Sequence, residues 1–470
     1  MPRFIVAIDN GSQSTKVSII DENGAVHASG RSPLRPYASN RPGVSEHPDD
    51  DVWESIVQAC RSAMSSFEGE MRDIVAVGLC TIRFCRALLD ERGRLAHPIM
   101  SWMDSRVSEP YVHVDERVKL VTTSSGYITG RLTGTVTDFA GNVQGRWPVD
   151  PSTWRWSDDD AVIEREGIPR SMLAPLALPG EVTGVVSAEA ALATGLPAGV
   201  PVVATSNDKA VEALGCGTIR PGQLLLSLGT YVAAMTPAGH GEHGGAASWL
   251  NFSSMPHQML LESDGVRRGM WTVSWYRDLV FGSDSSSAQA SGTFEHMLEL
   301  EAERIAPGAG GVTAVLDWLA PTGDEKLRGT LLGFDGSQGR PHIYRALLES
   351  LAMTMHENTE RMLAETGRQA QSLVVSGGGA SSDLMMRILA AVHGVPTVRM
   401  TMTDAAGLGS AICAAVGTGV HPSWEAAADA MVHVKDVWVP EPDLLAQYAS
   451  IGPRFRSVRN ATRNLYRALD

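Results

Sequence analysis

Residues 201–234, PVVATSNDKAVEALGCGTIRPGQLLLSLGTYVAA, change backbone grammar twice in one short stretch. The apolar run 201–204 predicts a strand, and residues 209–214 predict a helix with Asp208 at its mouth. The chain then turns through Gly215, Gly217 and Pro221-Gly222 into a second predicted strand, 224–227, which stops at Leu228-Gly229-Thr230. A carboxylate at a strand end, followed closely by a Gly-Thr turn between apolar strands, suits an acid/base group beside a phosphate-binding loop.

The same grammar opens the chain. Residues 4–8 are apolar, DNGSQSTK (9–16) is a polar turn, and 17–20 are apolar again before an Asn-Gly turn at 23–24. The first turn offers clustered backbone N–H groups, the Ser12 and Ser14 hydroxyls and the Lys16 ammonium, while Asp9 sits where a hydrated Mg²⁺ could be held. The plainer reading is an ordinary polar hairpin tip. Its near-copy around Gly229-Thr230 changes the weight: two hairpins of one kind, each opening half of the chain, predict a duplicated α/β domain with a cleft between the halves.

Between the hairpins, apolar positions Val52, Trp53, Ile56, Val57, Ala59 and Met64 recur at helical spacing over 49–67. A buried strand, 74–80, ends at Thr81-Ile82-Arg83-Phe84, and ligands collect at the carboxyl ends of strands in such sheets. Arg83 is therefore a candidate substrate contact, against the alternative of a surface arginine paired with an acid. Strand 86–89 and residues 98–100 lead to SWMDSR (101–106), where Asp104 and Arg106 either hold a small polar ligand or form an ion pair that fixes the loop. Trp147, Trp154 and Trp156 either line a sugar cleft or pack an irregular cap. Residues 178–201 read as a β-rich connection.

Beyond the second hairpin, 240–245 reads as a Gly-rich loop with solvated histidines, and 342–361 as a long amphipathic helix. Strand 373–375 meets Gly377-Gly378-Gly379-Ala380, and a helix over 381–392 follows. Three glycines between a strand and a helix N-terminus let a flat ring approach the backbone or a phosphate be cradled. Residues 403–410, TDAAGLGS, open a small-residue helix suited to close packing, and 441–469 read as a polar helical tail.

Composition removes several classes of function. The chain of 470 residues exceeds what one core supports, so at least two domains are expected. A net charge of −14 argues against nucleic acid and acidic membranes as partners. Cys60, Cys80, Cys85, Cys216 and Cys413 lack metal-site or disulfide-framework spacing, which fits a reducing cytoplasmic setting, and no apolar run is long enough to span a bilayer.

In this order the motifs resemble the FGGY carbohydrate kinases, which share one duplicated fold with actin, hexokinase and the heat-shock chaperone ATPases. The resemblance runs through DNGSQSTK, SWMDSR, GVVSAEAALATGLPAGVPVVATSND, LSLGTYVAA, GTLLGF…HIYRALLE, VVSGGGASSDLMMRILA and DAAGLGSAICAA. It implies an α/β, actin/hexokinase-like (ribonuclease H-like) two-domain fold with an interdomain catalytic cleft, divided 1–217 and 218–470. It implies ATP and Mg²⁺ as cofactors and a small sugar, polyol or sugar acid as acceptor, with a homodimer as the default assembly. Asp208 falls on the family's general base and Asp9 on its Mg²⁺-associated acid. Ser12, Gln13, Ser14 and Lys16 match the first phosphate loop, and Gly229 and Thr230 the second. Gly378, Gly379 and Ala380 match the adenosine wall, with Asp404 near the ribose end; Arg83 with the adjoining Phe84, Asp104, Asp208 and Lys209 fall on acceptor-contacting positions.

Three departures bear on the acceptor. Lys209 stands where relatives usually carry Asn or Gln, TIRF (81–84) matches neither the Met-His pair of xylulose kinases nor the Arg-Glu pair of glycerol kinases, and 106–127 is shorter than in most relatives. Lys209 and Arg83, if both face the acceptor, favour a carboxylate-bearing one; Lys209 could instead pair with Glu212. A non-catalytic sugar or nucleotide sensor is the alternative, disfavoured because it has no use for a base. A chaperone-like ATPase would need a peptide-binding domain for which no length remains.

Overall fold

A computed structural model of the protein describes residues 2–239, 241–282, 288–321 and 323–469, so His240 of the Gly-rich loop lies outside the described residues. The chain divides into two compact units. The first comprises Met1–Ile219, Asn251–Leu260 and Asp404–His433; the second comprises Arg220–Leu250, Leu261–Thr403 and Val434–Asp470. The main break falls two residues beyond the boundary read at 217/218, but two later segments fold with the first unit.

The first unit is built on a six-stranded sheet of β1 (Phe4–Asn10), β2 (Ser14–Asp21), β3 (Val26–Pro33), β4 (Ile74–Thr81), β5 (Val182–Val185) and β6 (Pro201–Asn207), in the order β5-β6-β4-β1-β2-β3. β1 pairs antiparallel with β2 and parallel with β4, and β4 pairs parallel with β6. β1 is buried along its whole length, as a central strand covered on both faces must be. Helix α1 (Asp51–Ser65) buries Val52, Trp53, Ile56, Ala59, Cys60 and Ala63, joining the core formed by Val6, Ile8, Val17, Ile19, Val77 and Leu79.

The second unit repeats this plan. Its sheet contains β7 (Gln223–Leu228), β8 (Val232–Pro237), β9 (Ser248–Phe252), β10 (Met259–Ser263), β11 (Ser372–Ser376), β12 (Thr397–Met400) and β13 (Val434–Trp438), in the order β9-β10-β8-β7-β11-β12-β13. β7 pairs antiparallel with β8 and parallel with β11, β11 parallel with β12, and β12 antiparallel with β13. The strings β3-β2-β1-β4-β6-β5 and β10-β8-β7-β11-β12-β13 are thus the same topology twice, as the two hairpins predicted. Leu347, Leu348, Leu351, Ala352 and Met355 of helix α4 (Arg340–Thr366) fill the second core.

Three local expectations change. The first turn is only residues 11–13: Ser14, Thr15 and Lys16 already belong to β2, so Lys16 stands in register opposite Asp9. The connection 178–201 contains a helix, Ala188–Thr194, started where the Ser187 side chain accepts a hydrogen bond from the Ala190 N–H. Of the two readings of the tryptophans, packing holds for Trp147 and Trp154, which are buried, the latter against Phe252 with ring centres 4.6 Å apart.

The return of 404–433 to the first unit has a steric cause. Helix α6 (Ala405–Gly417) lies against helix α2 (Asp208–Gly215) through glycine on both sides. A Cβ on Gly215 would lie 1.9 Å from the Ala405 carbonyl oxygen, and one on Gly409 would lie 2.0 Å from that of Val211. Only hydrogen at these positions lets the two backbones meet. Asp404, assigned by sequence to the second domain, is therefore carried into the first.

Candidate active site

The charged residues of the first unit gather where its parallel strands end. Asn10 of β1 is level with Thr81 of β4, and Thr81 with Asn207 of β6. Asp9, Arg83 and Asp208 thus leave neighbouring strands at one sheet edge. Asn207 turns strand into helix: its side-chain oxygen caps α2 by accepting from the Ala210 N–H at 3.1 Å, which makes Asp208 the first helical residue. The Asn207 amide nitrogen donates to the Gly141 carbonyl (2.9 Å) and to Asn251 Oδ1 (2.9 Å), and Asn251 also accepts from Gln144. This buried amide network, invisible in the local pattern, fixes the backbone that presents Asp208 and explains why Asn251–Leu260 fold with the first unit.

Arg83 Nε lies 3.8 Å from Asp208 Oδ1, and the guanidinium stands 5.3 Å from the Phe84 ring centre. Phe84 holds a left-handed backbone with φ of 63°, an uncommon conformation for a bulky residue, directly after the strand end. Lys209 Nζ donates to Glu212 Oε2 at 2.8 Å, one helical turn away. Pairing with Glu212 is thus the arrangement of Lys209 in this structure. Burial alone would lower its pKa, but Glu212 and Asp208 outweigh burial and hold the ammonium above its ordinary range.

Lys16 Nζ reaches Asp404 Oδ1 at 3.4 Å and Asp9 Oδ2 at 3.8 Å. Burial and the nearby Asp404 raise the Asp9 carboxyl to about 7, against the opposing pull of Lys16, with smaller contributions from Asp208 and Glu212. Four carboxylates, Asp9, Asp208, Glu212 and Asp404, therefore share a region with the cations Lys16, Arg83 and Lys209. The turn before Ser14 is braced by Tyr37, whose hydroxyl donates to the Ser12 carbonyl at 3.3 Å.

Asp104 is placed differently. Its carboxylate is fully enclosed and accepts from the Ser45 N–H (2.8 Å), the Arg106 N–H (3.0 Å) and Arg106 Nε and Nη2 (2.8 and 2.7 Å). These bonds commit both oxygens to the loop, so the expectation of a substrate contact gives way to the ion-pair reading. The physical reason is that a buried carboxylate is stable only with its lone pairs satisfied, and here Arg106 and Ser45 satisfy them.

In the second unit the equivalent sheet edge carries glycine instead of charge. The Gly229 and Thr230 carbonyls accept from the Met270 (3.1 Å) and Gly269 (2.8 Å) N–H groups, which seats the turn on the start of helix α3 (Gly269–Phe281). Gly377 has φ of 82°, and a Cβ there would lie 2.6 Å from the Leu228 carbonyl oxygen; one on Gly379 would lie 2.9 Å from Leu228 Cβ and Met270 Sδ. Gly378, by contrast, has open space where its Cβ would be. Arg399 of β12 donates from Nη1 to the Ala380 carbonyl (3.1 Å) and to Asp383 (2.8 Å), and pairs with Asp436. Sequence patterns did not single out Arg399, which lies in a short strand away from any glycine motif.

Among the described residues no group of three His, Cys, Asp or Glu side chains forms a metal cage, and no helix is long and apolar enough to cross a membrane. Mg²⁺ needs no such cage: one or two carboxylates with water and phosphate oxygens suffice. Burial and the neighbouring Asp404 carboxylate both disfavour the charged form of Asp9, and a divalent cation beside it would offset them, so the residues present fit the ion.

Comparison with known proteins agrees with this architecture. Residues 4–114 and 107–215 match the N-terminal domain of the FGGY family of carbohydrate kinases, and residues 225–418 match its C-terminal domain. Over 439 residues the chain is 44% identical to the uncharacterized sugar kinase YgcE of Escherichia coli (strain K12), covering 93% of this chain and 89% of that one. It is 21% identical to the xylulose kinase of Bacillus subtilis (strain 168) over 99% of both chains. The crystal structure of gluconate kinase from Lactobacillus acidophilus superposes with a TM-score of 0.85 at 18% identity, covering 99% of each chain, which shows the shared fold.

Proposed function

Since this chain belongs to the FGGY family of carbohydrate kinases and is a sugar kinase, we propose that it transfers the γ-phosphoryl group of ATP to a hydroxyl of a small sugar, polyol or sugar acid, with Asp208 as general base. The observation that carries the assignment is the position of Asp208. It is the first residue of α2, held by the Asn207 cap at the strand edge that also carries Asp9, Lys16 and Arg83. A base for this reaction must sit at a fixed point, and the Asn207 cap supplies one.

The remaining roles follow from charge and shape. Ser12, Gln13, Ser14 and Lys16 of the first unit neutralise and orient the phosphoryl group that moves. Asp9 would hold Mg²⁺, which supplies charge neutralisation at the phosphate oxygens when bound. In the second unit Gly229 and Thr230 offer the second phosphate turn, and Gly378, Gly379 and Ala380 the surface for the adenine ring, with Gly378 as its open face. Asp404, read from sequence as a ribose contact, serves here as the counter-ion that positions Lys16. Arg83 and Phe84 contact the acceptor. Phosphoryl transfer asks for alignment and electrostatic complementarity more than covalent help, and these residues supply both.

An ADP-release screen over aldoses, ketoses, alditols and aldonates tests the reading. Acceptor-dependent ADP release above the ATPase background is the expected result. No release across the whole set, with nucleotide binding intact, would leave a sensor as the better account.

A further inference from the structure

We infer that Glu212 is a specificity-determining residue that cancels the charge of Lys209, so that the acceptor is an uncharged sugar or polyol and not a sugar acid. The inference rests on the kinase reading above. Lys209 directly follows the proposed base, and its ammonium, like the Arg83 guanidinium, by type invites a carboxylate-bearing acceptor. In the fold that ammonium lies 2.8 Å from Glu212 Oε2, and only about an eighth of each side chain is exposed (15% for Lys209, 13% for Glu212).

The other cations near Asp208 are matched in the same way. Arg83 stands 3.8 Å from Asp208, and Lys16 lies 3.4 Å from Asp404 and 3.8 Å from Asp9. Lys16, Arg83 and Lys209 thus each stand beside a carboxylate of the set Asp9, Asp208, Glu212 and Asp404. An acceptor carboxylate entering this set would have to take a cation from an acid already beside it, and it would leave that acid uncompensated in a poorly solvated place. Such exchanges are unfavourable because stranding one member of a buried pair costs more than the new contact returns. A hydroxyl-bearing acceptor asks for no exchange, because the Lys209–Glu212 pair as a whole carries no net charge.

Matched acceptors provide the test: xylitol and glucitol against xylonate and gluconate, with kcat/KM measured for the wild-type protein, Glu212→Gln, and the double variant Lys209→Gln/Glu212→Gln. For the wild type the aldonates should be at least tenfold poorer than the alditols of the same carbon skeleton. In Glu212→Gln, where the ammonium loses that carboxylate, the aldonate-to-alditol ratio should rise severalfold whatever happens to the absolute rate. In the double variant, which keeps the shape without either charge, the ratio should return toward that of the wild type, and this variant remains informative if an unpaired Lys209 destabilises the single one. Wild-type preference for aldonates, or a ratio unmoved in a folded Glu212→Gln protein, would overturn the inference and leave the kinase reading standing. Failure of every acceptor with the wild-type protein would remove the kinase reading itself, and the inference with it.

Discussion

The two units use one topology for opposite ends, and the register of their sheets allows a position-by-position comparison. Asp9 pairs across the hairpin with Lys16; the matching pair in the second unit is Ser227 with Ala233. On the next parallel strand Cys80 stands level with Asp9 and leads into Thr81-Ile82-Arg83, while Ser376 stands level with Ser227 and leads into Gly377-Gly378-Gly379. One edge is loaded with charge, the other stripped to backbone. On the proposed function a duplicated fold divides its labour: the first copy would manage protons and phosphoryl charge, and the second, without side chains at this turn, would let a planar ligand reach the main chain. The difference teaches that the hairpin and the strand-end positions are the reusable part of the fold, while the side chains placed on them decide the chemistry.

The strongest challenge to the division is to remove the base from the charged edge. Asp208→Asn keeps the N1 position of α2 and nearly the same volume, so the fold should be retained. Acceptor-dependent turnover should fall by roughly 10²–10⁴-fold, the range for losing a positioned general base, while ATP affinity measured by calorimetry should change little because the nucleotide residues assigned above are untouched. Turnover close to that of the wild type would remove Asp208 from the reaction and blur the contrast between the edges.

A smaller and more selective effect is expected at the glycine edge, where two adjacent glycines have different reasons to be glycine. Gly377→Ala places a methyl group 2.6 Å from the Leu228 carbonyl oxygen at a left-handed φ. It should cost about 1–3 kcal/mol of stability, as strained non-glycine backbone does, and lower the midpoint of thermal unfolding. Gly378→Ala has neither problem, since nothing lies within 4 Å of the added Cβ. That variant should unfold with a midpoint near the wild type, yet bind ATP severalfold more weakly if the adenine ring lies on this residue. If Gly378→Ala left ATP affinity unchanged, the open face of the turn would have some other use.

Much of this division was legible in the sequence because it is written in local patterns. An apolar run, a Gly-Ser or Gly-Thr turn and another apolar run define each hairpin, and the strand, three glycines and helix at 373–392 define the second edge. What could not be read were pairings between distant segments. The small-residue helix opened by 403–410 announced close packing, but nothing local named α2 as its partner. Asp104 looked like a ligand contact because its residue type and place allow it; whether its lone pairs are already used depends on Ser45, which is far away in sequence. Lys209 offered two partners on paper, and the i,i+3 geometry of a helix that begins at Asp208, not Lys209, brings it to Glu212. Arg399 and the Asn207–Asn251 network have no motif at all, since they are defined only by what surrounds them.

The mildest expected effect compares how the two cores respond to acid. The first unit buries His47, edge-on to Tyr37 with ring centres 4.9 Å apart, and neither imidazole nitrogen has a hydrogen-bond partner. Burial lowers its pKa to about 4 despite the opposing charge of Asp51. The second unit half-buries His393 of α5 (Asp383–His393) edge-on to the half-buried His356 of α4, with ring centres 5.0 Å apart. Burial, and secondarily His356, lowers His393 to about 3. His356 itself is lowered by burial and by Arg456, with Glu360 and Glu357 acting the other way. A histidine whose folded pKa lies below its unfolded value of 6.5 stabilises the fold fully above pH 6.5, and that contribution is lost as pH falls from 6.5 toward the folded pKa. At pH 6 the loss is about 0.8 kcal/mol for each such histidine. Carboxylates titrating at lower pH overlap with this loss, so the informative quantity is the difference between variant and wild type in urea unfolding at pH 7.5 and pH 6. Replacing His47 or His393 with Phe, which keeps the edge-to-face ring contact, should reduce the pH-dependent part of the stability by that amount in each case. Equal pH dependence in the wild type and both variants would mean that these rings titrate alike in the folded and unfolded chains, and that neither core holds its histidine neutral.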